Sequence, residues 1–249
     1  MRLPLTLALL AALPLTTAAQ EAATDDRSWS GTAEFGLAIA SGNADSETIN
    51  GKFAFLREED RWFYGINAAA LRAESDDQLS ANRYEAGLKL GYDFTPRAYL
   101  FGTLRHENDD FASYEYQSIA SLGVGYRFID RETTSLLAEI GPGARRFQPI
   151  DAFVGTPPVR SALDAQTDAI VRGSLDFKHQ LTANTALTNL LLAETGGGST
   201  FLQNDLGVAV QMSERFALKA GYQVRHTTEV PLGIEKTDTL FTTNLVVGF

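Results

Sequence analysis

The chain contains no cysteine, so disulfide bonds and thiolate metal sites are excluded. Basic residues are outnumbered, with 21 lysines and arginines against 31 acids and a formal net charge of -10 at pH 7. Because phosphate backbones bind basic surfaces, this balance argues against a nucleic-acid partner. The 3 histidines show no metal-binding spacing, so neither a metal site nor a cofactor is expected.

Long apolar runs are also absent. A membrane-spanning helix takes about 18 or more apolar residues, and no segment of this chain reaches that length. The run Leu3–Leu15 follows a basic start and precedes small residues at Thr17–Ala19, which is the pattern of a secretory signal peptide. The sequence therefore predicts a cleaved signal peptide at residues 1–19, a short N-terminal periplasmic segment at 20–27 and one folded domain at 28–249.

Most of the remaining chain alternates between apolar and polar residues with a period of two. In the clearest segment Leu122, Val124 and Tyr126 lie on one face, and Ser121 and Arg127 lie on the other. This pattern is typical of strands with one apolar and one polar face. Twelve strands are predicted, at residues 28–41, 46–57, 62–74, 82–94, 98–108, 113–128, 133–146, 166–180, 185–195, 200–212, 216–227 and 237–249.

Strand length and connection length both indicate a membrane protein. Strands of soluble proteins run to about five or six residues, whereas crossing a bilayer takes about nine to eleven. Most of the twelve predicted strands are longer than that. Short turns follow the even-numbered strands, and longer polar loops follow most odd-numbered ones, such as residues 75–81 and 147–164. The second of these loops contains three prolines and is expected to hold no strand. The pattern predicts an all-β fold, a 12-stranded antiparallel transmembrane β-barrel of the bacterial outer membrane with both termini in the periplasm.

The C-terminal strand carries a recognisable ending. Phe241, Leu245, Val247 and Phe249 fall on one face, and Phe249 is the last residue. This ending resembles the terminal strand of bacterial outer-membrane barrels, so these residues are predicted to form the C-terminal barrel-insertion signal. The partners expected are periplasmic chaperones and the barrel-assembly machinery during insertion, followed by outer-membrane lipids and lipopolysaccharide.

Acids assigned to the outer loops offer a second link to lipopolysaccharide. Clustered carboxylates can hold divalent cations that bridge its phosphates, but the favoured interpretation is that these side chains are simply solvated. These acids are Asp45, Asp76, Asp77, Asp109 and Asp110.

The polar faces of the predicted strands give a lumen with balanced charge. Twelve tilted strands close into a backbone cylinder of roughly 12 Å radius, so the free bore is narrow. An ion-selective pore favours charges of one sign, whereas acids and bases are equally represented among the side chains assigned inward. They are Glu34, Lys52, Glu85, Lys89, Arg105, Glu115, Glu139, Arg145, Asp168, Arg172, Asp176, Asp205, Lys219 and Arg225.

Three of these side chains form the candidate lumen charge network. Glu85, Arg105 and Glu115 fall on three neighbouring strands, at diagonal positions within reach of long side chains. The interpretation favoured by the balance of charge is a network that braces the barrel. A gating or solute-contact role is the alternative.

One residue pair suggests chemistry on the outer leaflet. His106 lies one strand away from Ser118, and the two could act as base and nucleophile of a lipase-like site. No third orienting group is evident from the sequence, so the chain is not expected to be an enzyme.

Short motifs resemble a known family, the YdiY-like salt-induced outer-membrane proteins. They are Ser41-Gly42-Asn43, Asn82-Arg83-Tyr84, Gly123-Val124-Gly125-Tyr126-Arg127 and Glu139-Ile140-Gly141-Pro142-Gly143. The resemblance implies an outer-membrane location and a link to osmotic or envelope stress, and it transfers no catalytic residue. The function expected is therefore a structural or stress-response envelope protein with a narrow or occluded lumen. A passive channel for small solutes or ions and an outer-leaflet lipid-modifying enzyme are the alternatives.

Overall fold

The computed structural model describes residues 28–40, 46–150, 152–154, 159–161, 163–231 and 233–249. The predicted signal peptide at 1–19 and the periplasmic segment at 20–27 lie outside the described residues, as does the family motif at 41–43. Within the described part of the chain, no helix has the length and apolar character needed to cross a bilayer.

The described residues form fourteen strands. Twelve of them close into one barrel, in which every strand is antiparallel to both neighbours, and β8 and β9 form a separate two-stranded hairpin. The strands are β1 Ser28–Ala40, β2 Ser46–Glu59, β3 Trp62–Ser75, β4 Gln78–Asp93, β5 Ala98–Asp109, β6 Tyr114–Arg131, β7 Thr134–Pro149, β8 Ala152–Val154, β9 Val159–Ser161, β10 Gln166–Thr182, β11 Thr185–Gly196, β12 Ser199–Gln211, β13 Phe216–Thr227 and β14 Thr237–Gly248.

The barrel closes where the last strand meets the first. β1 pairs with β14 over a short register, from Thr32 opposite Gly248 to Phe35 opposite Leu245. Beyond it, the amide of Gly31 donates to the carbonyl of Phe249 at 2.8 Å, and the amide of Phe249 donates back at 3.0 Å. The predicted twelve-stranded antiparallel barrel is confirmed.

Polar and apolar residues are distributed in the opposite way to a soluble protein. Large apolar side chains lie exposed on the outside, with Leu122 and Phe241 each 69% exposed. The inside holds buried charged groups, including Glu107, Glu139 and Arg225. An apolar outer surface of this extent requires lipid as its solvent, so the fold is that of a transmembrane β-barrel.

The two ends of the barrel differ in their connections. Tight turns of two to four residues join the strands at the end that carries Ser28 and Phe249, the first and last described residues, which we call the termini end. The opposite end, called the loop end, carries the longer connections at 150–165 and 228–236. The loop expected at 75–81 is instead a two-residue turn, because Asp76 and Asp77 adopt positive φ angles of 50° and 61° that reverse the chain at once.

The prediction that residues 147–164 hold no strand is wrong. β7 continues to Pro149, and β8 pairs with β9 from Ala152 opposite Ser161 to Val154 opposite Val159. Pro157 and Pro158, two of the three prolines on which the prediction rested, fall in sequence between the two short strands, and Pro149 is the last residue of β7. A proline between strands removes no ladder hydrogen bond.

Aromatic rings fill the lumen toward the termini end. Phe63 and Tyr99 meet edge to face, with ring centroids 5.2 Å apart. The rings lie against glycines of neighbouring strands, because a Cβ added at Gly91 would come within 1.9 Å of Phe63 and one at Gly125 within 2.1 Å of Tyr99. These glycines make room for the rings, and the rings support the charged side chains described next.

Candidate functional site

Charged side chains from opposite sides of the barrel meet inside its loop-end half. Alternation along β5 turns Arg105, Glu107 and Asp109 inward, and Glu107 is 0% exposed. Glu194 of β11 and Arg225 of β13 complete the core of the group, being 2% and 6% exposed. We call these five residues, with Glu85 of β4 and Tyr114 of β6, the lumen cluster.

Arg105 connects three strands, β4, β5 and β11. Its Nη2 lies 2.6 Å from Glu194 Oε2, and its Nη1 lies 3.5 Å from Glu107 and 3.7 Å from Glu85. β11 is four strands away from β5 around the wall, so the pair with Glu194 spans part of the lumen rather than following the sheet. Three carboxylates surround one guanidinium, so a second cation is needed to reduce the excess negative charge.

Arg225 supplies that second cation from the far wall. β13 lies six strands from β5 in either direction around the barrel, which is directly opposite in a ring of twelve. Arg225 Nη2 is 2.5 Å from Glu107 Oε1, and Nη1 is 3.2 Å from Asp109 Oδ2. The Tyr114 hydroxyl donates to Glu107 at 2.8 Å, so this buried carboxylate is bound by three strands.

A second charged group lies nearer the termini end. Glu139, 4% exposed, pairs with Lys89 and with Arg172 at 3.3 Å, and it accepts a hydrogen bond of 2.7 Å from the Tyr99 hydroxyl. Lys89 Nζ also lies 5.9 Å from the centroids of Phe63 and Tyr99, within the range of a cation–π contact. Arg172 Nε is 3.9 Å from Glu194, so the two groups are connected.

Polar side chains on the remaining wall of the lumen are also paired. Lys219 of β13 lies 2.7 Å from Glu34 of β1, and Lys52 of β2 lies 3.9 Å from Asp205 of β12. Gln223 donates to Asp205 at 2.5 Å. Most inward charges are therefore matched by an opposite charge or an amide. Within the described chain, no group of three or more histidines and carboxylates is arranged to hold a metal ion.

The structure brings together two of the three residues of the predicted charge network. Glu85 and Arg105 are 3.7 Å apart, but Glu115 is exposed and lies outside the lumen cluster. The cause is an irregularity in the pairing of β6 with β7, between Tyr114 and Tyr116. It turns the Tyr114 side chain inward, where simple alternation would have placed Glu115.

Three charged members of the lumen cluster were missed from the sequence. Glu107 shares a face with Arg105, and stricter use of the alternation in β5 would have found it. Asp109, assigned to an outer loop, belongs to the end of β5. Glu194 lies in an apolar stretch of β11, two residues after three consecutive leucines, and that run conceals which face it occupies.

The residues of the predicted insertion signal share the outer face of β14. Phe241, Leu245 and Phe249 are 69%, 42% and 50% exposed, and Val247 lies between the last two on the same face. The Phe249 ring lies 6.2 Å from Trp29 and 6.3 Å from Phe53, centroid to centroid. Their role in insertion stays a prediction.

These features define the class of protein, a transmembrane β-barrel of outer-membrane type with a charged, internally paired lumen. The chain belongs to the family described as protein of unknown function DUF481, whose model matches residues 33–249. It is 25% identical over 215 residues to uncharacterized protein YdiY of Escherichia coli (strain K12), covering 86% of this chain and 81% of that protein. The family resemblance indicated by the sequence motifs is thus confirmed.

Solved barrels of several kinds resemble the fold. The translocator domain of the autotransporter NalP from Neisseria meningitidis has a TM-score of 0.46 at 13% identity, covering 90% of this chain and 87% of that one. The NanC porin has a TM-score of 0.47 at 7% identity, covering 89% and 98%. The KdgM porin has a TM-score of 0.42 at 9% identity, covering 88% and 96%.

Proposed function

We propose that this protein is a structural envelope barrel whose lumen is closed at rest by the lumen cluster. One observation carries the proposal: the ion pair between Arg225 of β13 and Glu107 of β5, which joins directly opposite walls. A side-chain contact across the full diameter divides the lumen at that level and narrows the path for a solute. The stress-related role implied by the family resemblance belongs to the same proposal.

The loop end supports closure at a second level. Val230 and Ile234, from the connection between β13 and β14, line a cavity of only about 30 Å³ together with Asp109, Tyr114 and Arg225. A space of this size holds about one or two water molecules. The connection therefore covers the lumen cluster from the loop end.

The charge distribution also favours bracing over conduction. Conduction needs ions to bind weakly enough to leave again, whereas a buried pair with good geometry holds its partners in place. Glu107, Glu194 and Glu139 each contact at least one cation at 3.3 Å or closer. Opening a path would require the pair across the lumen, Arg225–Glu107, to separate.

Conductance in a planar bilayer tests this proposal. We expect the purified wild-type barrel to give no steady single-channel steps. The double variant Arg225→Ala with Glu107→Ala removes the contact across the lumen and is expected to conduct. The matched control is Arg145→Ala with Asp168→Ala, a pair 2.8 Å apart on the adjacent strands β7 and β10 that does not cross the lumen, and it is expected to stay closed.

A passive channel for small solutes is the second candidate, and one observation favours it. The Lys52 side chain is 40% exposed and lies 3.9 Å from Asp205, which makes this the longest of the described charge pairs between strands that are not neighbours. Steady conductance steps in the wild type that change size in Lys52→Ala would establish this candidate and defeat the closed barrel.

Orientation and partners form the last part of the proposal. Both termini are placed in the periplasm, because short turns face the periplasm in barrels of this class. Phe241, Leu245, Val247 and Phe249 are proposed as the signal read by the assembly machinery. A protease site inserted at residue 230 should be cut in whole cells, and one inserted at residue 214 should be protected; the reverse result would invert the orientation.

A further inference from the structure

A chain of polar side chains lies on the outer, lipid-facing surface near the loop end. Along β5, His106 and Asn108 share the face opposite to Arg105 and Glu107. The register pairs His106 with Ser118 of β6, and Ser118 with Arg146 of β7. These four side chains, which we call the outer patch, belong to three adjacent strands. None of them contributes to the lumen cluster. Polar groups on a lipid-facing surface are costly and are therefore associated with function.

Hydrogen bonds order three members of the outer patch. His106 Nδ1 lies 2.8 Å from Ser118 Oγ, and His106 Nε2 lies 3.0 Å from Asn108 Oδ1. The Asn108 amide nitrogen donates to the backbone carbonyl of Glu115 at 3.4 Å. Tyr116 flanks the imidazole, with ring centroids 6.0 Å apart. The third orienting group that the sequence did not reveal is therefore Asn108.

The direction of these bonds follows from the asparagine. Its nitrogen is committed to the Glu115 carbonyl, so the atom facing His106 is Oδ1, which can only accept a hydrogen bond. His106 Nε2 must then carry the proton, which leaves Nδ1 with a free lone pair. Ser118 Oγ consequently donates to Nδ1. A hydroxyl that donates to an oriented imidazole is the arrangement of an activated nucleophile.

An apolar depression adjoins the outer patch. It has a volume of about 680 Å³, and His106, Ser118 and Arg146 line it. Its floor is the next row of outward residues toward the termini end, where Leu104 pairs with Ala120 and Ala120 pairs with Ala144. The alanines leave a hollow between larger neighbours. Volumes of about 300 to 1,000 Å³ are typical of ligand sites.

The lining matches a lipid with an acyl ester. The hollow over Ala120 and Ala144 suits an acyl chain, and Arg146 presents a cation where a phosphate-bearing headgroup would lie. At this level the backbones of β5, β6 and β7 are paired residue by residue, so their amide groups are occupied by strand pairing. Arg146 is therefore the donor placed to stabilise an oxyanion. The ester carbonyl would lie between the apolar hollow and Arg146, beside Ser118.

We propose that the outer patch is an acyl-ester hydrolase site acting on membrane lipids that carry phosphate. Ser118 Oγ attacks the ester carbonyl carbon while His106 Nδ1 takes its proton, and Arg146 stabilises the resulting oxyanion. The bond from the carbonyl carbon to the alcohol oxygen then breaks, and His106 returns the proton to the departing alcohol. Water is the co-reactant: it attacks the acyl-serine and gives one proton to His106. The bond from the acyl carbon to Ser118 Oγ then breaks, His106 passes the proton to Oγ, and the fatty acid leaves. Asn108 is a positioning residue that maintains the histidine tautomer.

This inference is independent of whether the lumen is closed. The outer patch and the lumen cluster lie on opposite faces of the same strands, so a conducting barrel would leave the hydrolase site intact. The identity of the leaflet, by contrast, rests on the proposed orientation, which places the loop end outside. If the hydrolase inference holds, it replaces the expectation that the chain is not an enzyme.

Covalent labelling gives a direct test. The full-length barrel, reconstituted in liposomes, is treated with an alkyl fluorophosphonate and the modified residue is identified by mass spectrometry. We expect labelling at Ser118 that is lost in Ser118→Ala and falls by about 10²-fold or more in His106→Ala. Thr167→Ala, in the same outward row beside Arg146, is the control and should label normally.

The test of Asn108 as a positioning residue needs a measurement that a merely structural role would not change. Asn108→Ala should lose most of the labelling, and Asn108→Asp should restore it, because a carboxylate also accepts from Nε2. The shift in gel mobility on heating, which folded barrels show, confirms that each variant is folded. Equal labelling of the alanine and aspartate variants would remove Asn108 from the proposal.

Fatty-acid release separates the two lipid sources. One arm uses vesicles of phosphatidylethanolamine and phosphatidylglycerol, and the other uses vesicles that contain lipopolysaccharide; release in either arm that disappears in Ser118→Ala supports the site and names its substrate. Absence of labelling together with absence of release in both arms overturns it. Lipid that is retained through Arg146 without turnover, as seen by native mass spectrometry and lost in Arg146→Ala, also overturns it and leaves a binding site only.

Discussion

At the scale of single residues, the free energy of this barrel depends on which charges are buried and what they contact. Glu107 is 0% exposed and contacts Arg225, Arg105 and Tyr114. A carboxylate in such a place is stable only while its partners remain, because transferring a charge out of water is costly. The exposed pair of Arg57 and Glu59, 3.0 Å apart, has no such requirement because solvent screens it.

We therefore expect Arg225→Ala to lower the free energy of unfolding by about 3 kcal/mol or more. Arg105 remains 3.5 Å from Glu107 and limits the loss. Urea titration in detergent micelles, followed by the shift in gel mobility on heating, measures the change. Arg57→Ala is the control, with an expected change within about 1 kcal/mol. Equal effects of the two substitutions would mean that the lumen cluster does not stabilise the barrel.

At the scale of strands, close approach and closure matter more than charge. The termini-end half of the lumen is filled by rings seated against glycines, and the barrel closes over a short seam between β1 and β14. Both features are properties of paired strands rather than of isolated residues. Each can be perturbed by removing or adding a few atoms.

Gly125→Ala tests the seating of the rings. The added Cβ would lie 2.1 Å from the Tyr99 ring, which is itself held by its hydrogen bond to Glu139, so the ring must move. Overpacking of this kind costs about 1–3 kcal/mol. Gly51→Ala is the matched control, since a Cβ there has a single backbone neighbour, at 3.8 Å. Thermal unfolding of both variants measures the difference in stability. Identical unfolding midpoints would contradict the close packing of the Tyr99 ring against Gly125.

Phe249→Ala tests the seam. Phe249 stacks on Phe53 and lies against Trp29 across the closure, whereas Phe241 is 69% exposed to lipid. We expect Phe249→Ala to lower the unfolding midpoint of the purified barrel, and Phe241→Ala to leave it nearly unchanged. Both residues belong to the predicted insertion signal, so folding in vitro separates their contribution to stability from their role in assembly. A larger effect at Phe241 would assign the closure to another contact.

At the scale of the whole molecule, the barrel is defined by lipid on its outside and paired charge on its inside. The outward face carries large apolar residues along almost every strand, and the inward face carries charges that meet across the lumen. Lipid contact makes the position of a residue along the membrane normal important, because the cost of a charge falls toward the interfaces.

Leu122→Arg and Phe128→Arg compare two depths on one strand. Leu122 is 69% exposed in the middle of β6, and Phe128 is 57% exposed near its termini end. We expect the first substitution to cost about 2–4 kcal/mol and the second about 0–1 kcal/mol. Reversible unfolding in liposomes provides the measurement. Equal costs would show that these residues do not cross a bilayer at different depths, and a barrel that stays monomeric in water without detergent would contradict lipid contact altogether.

Some residues of the outer patch could be found from local sequence patterns, and the others only from tertiary contacts. The sequence indicated that His106 and Ser118 lie on neighbouring strands, because the connection between β5 and β6 is short. It did not reveal Asn108 as the third group, since that role depends on the backbone carbonyl of Glu115, positioned by the irregularity in β6. The same irregularity removed Glu115 from the lumen. This one local shift in register therefore explains why the sequence did not reveal Asn108 and why it placed Glu115 in the lumen.

The sequence by itself determined the twelve barrel strands, most of their inward and outward faces and the even number that closes the barrel, because alternation with a period of two is a local property. The family could also be identified from short motifs. Only the tertiary structure decided which charges meet, since Arg225 and Glu107 are 118 residues apart and come together through closure of the ring. The physical reason is that contacts across a lumen depend on strand number and stagger, which no local pattern contains.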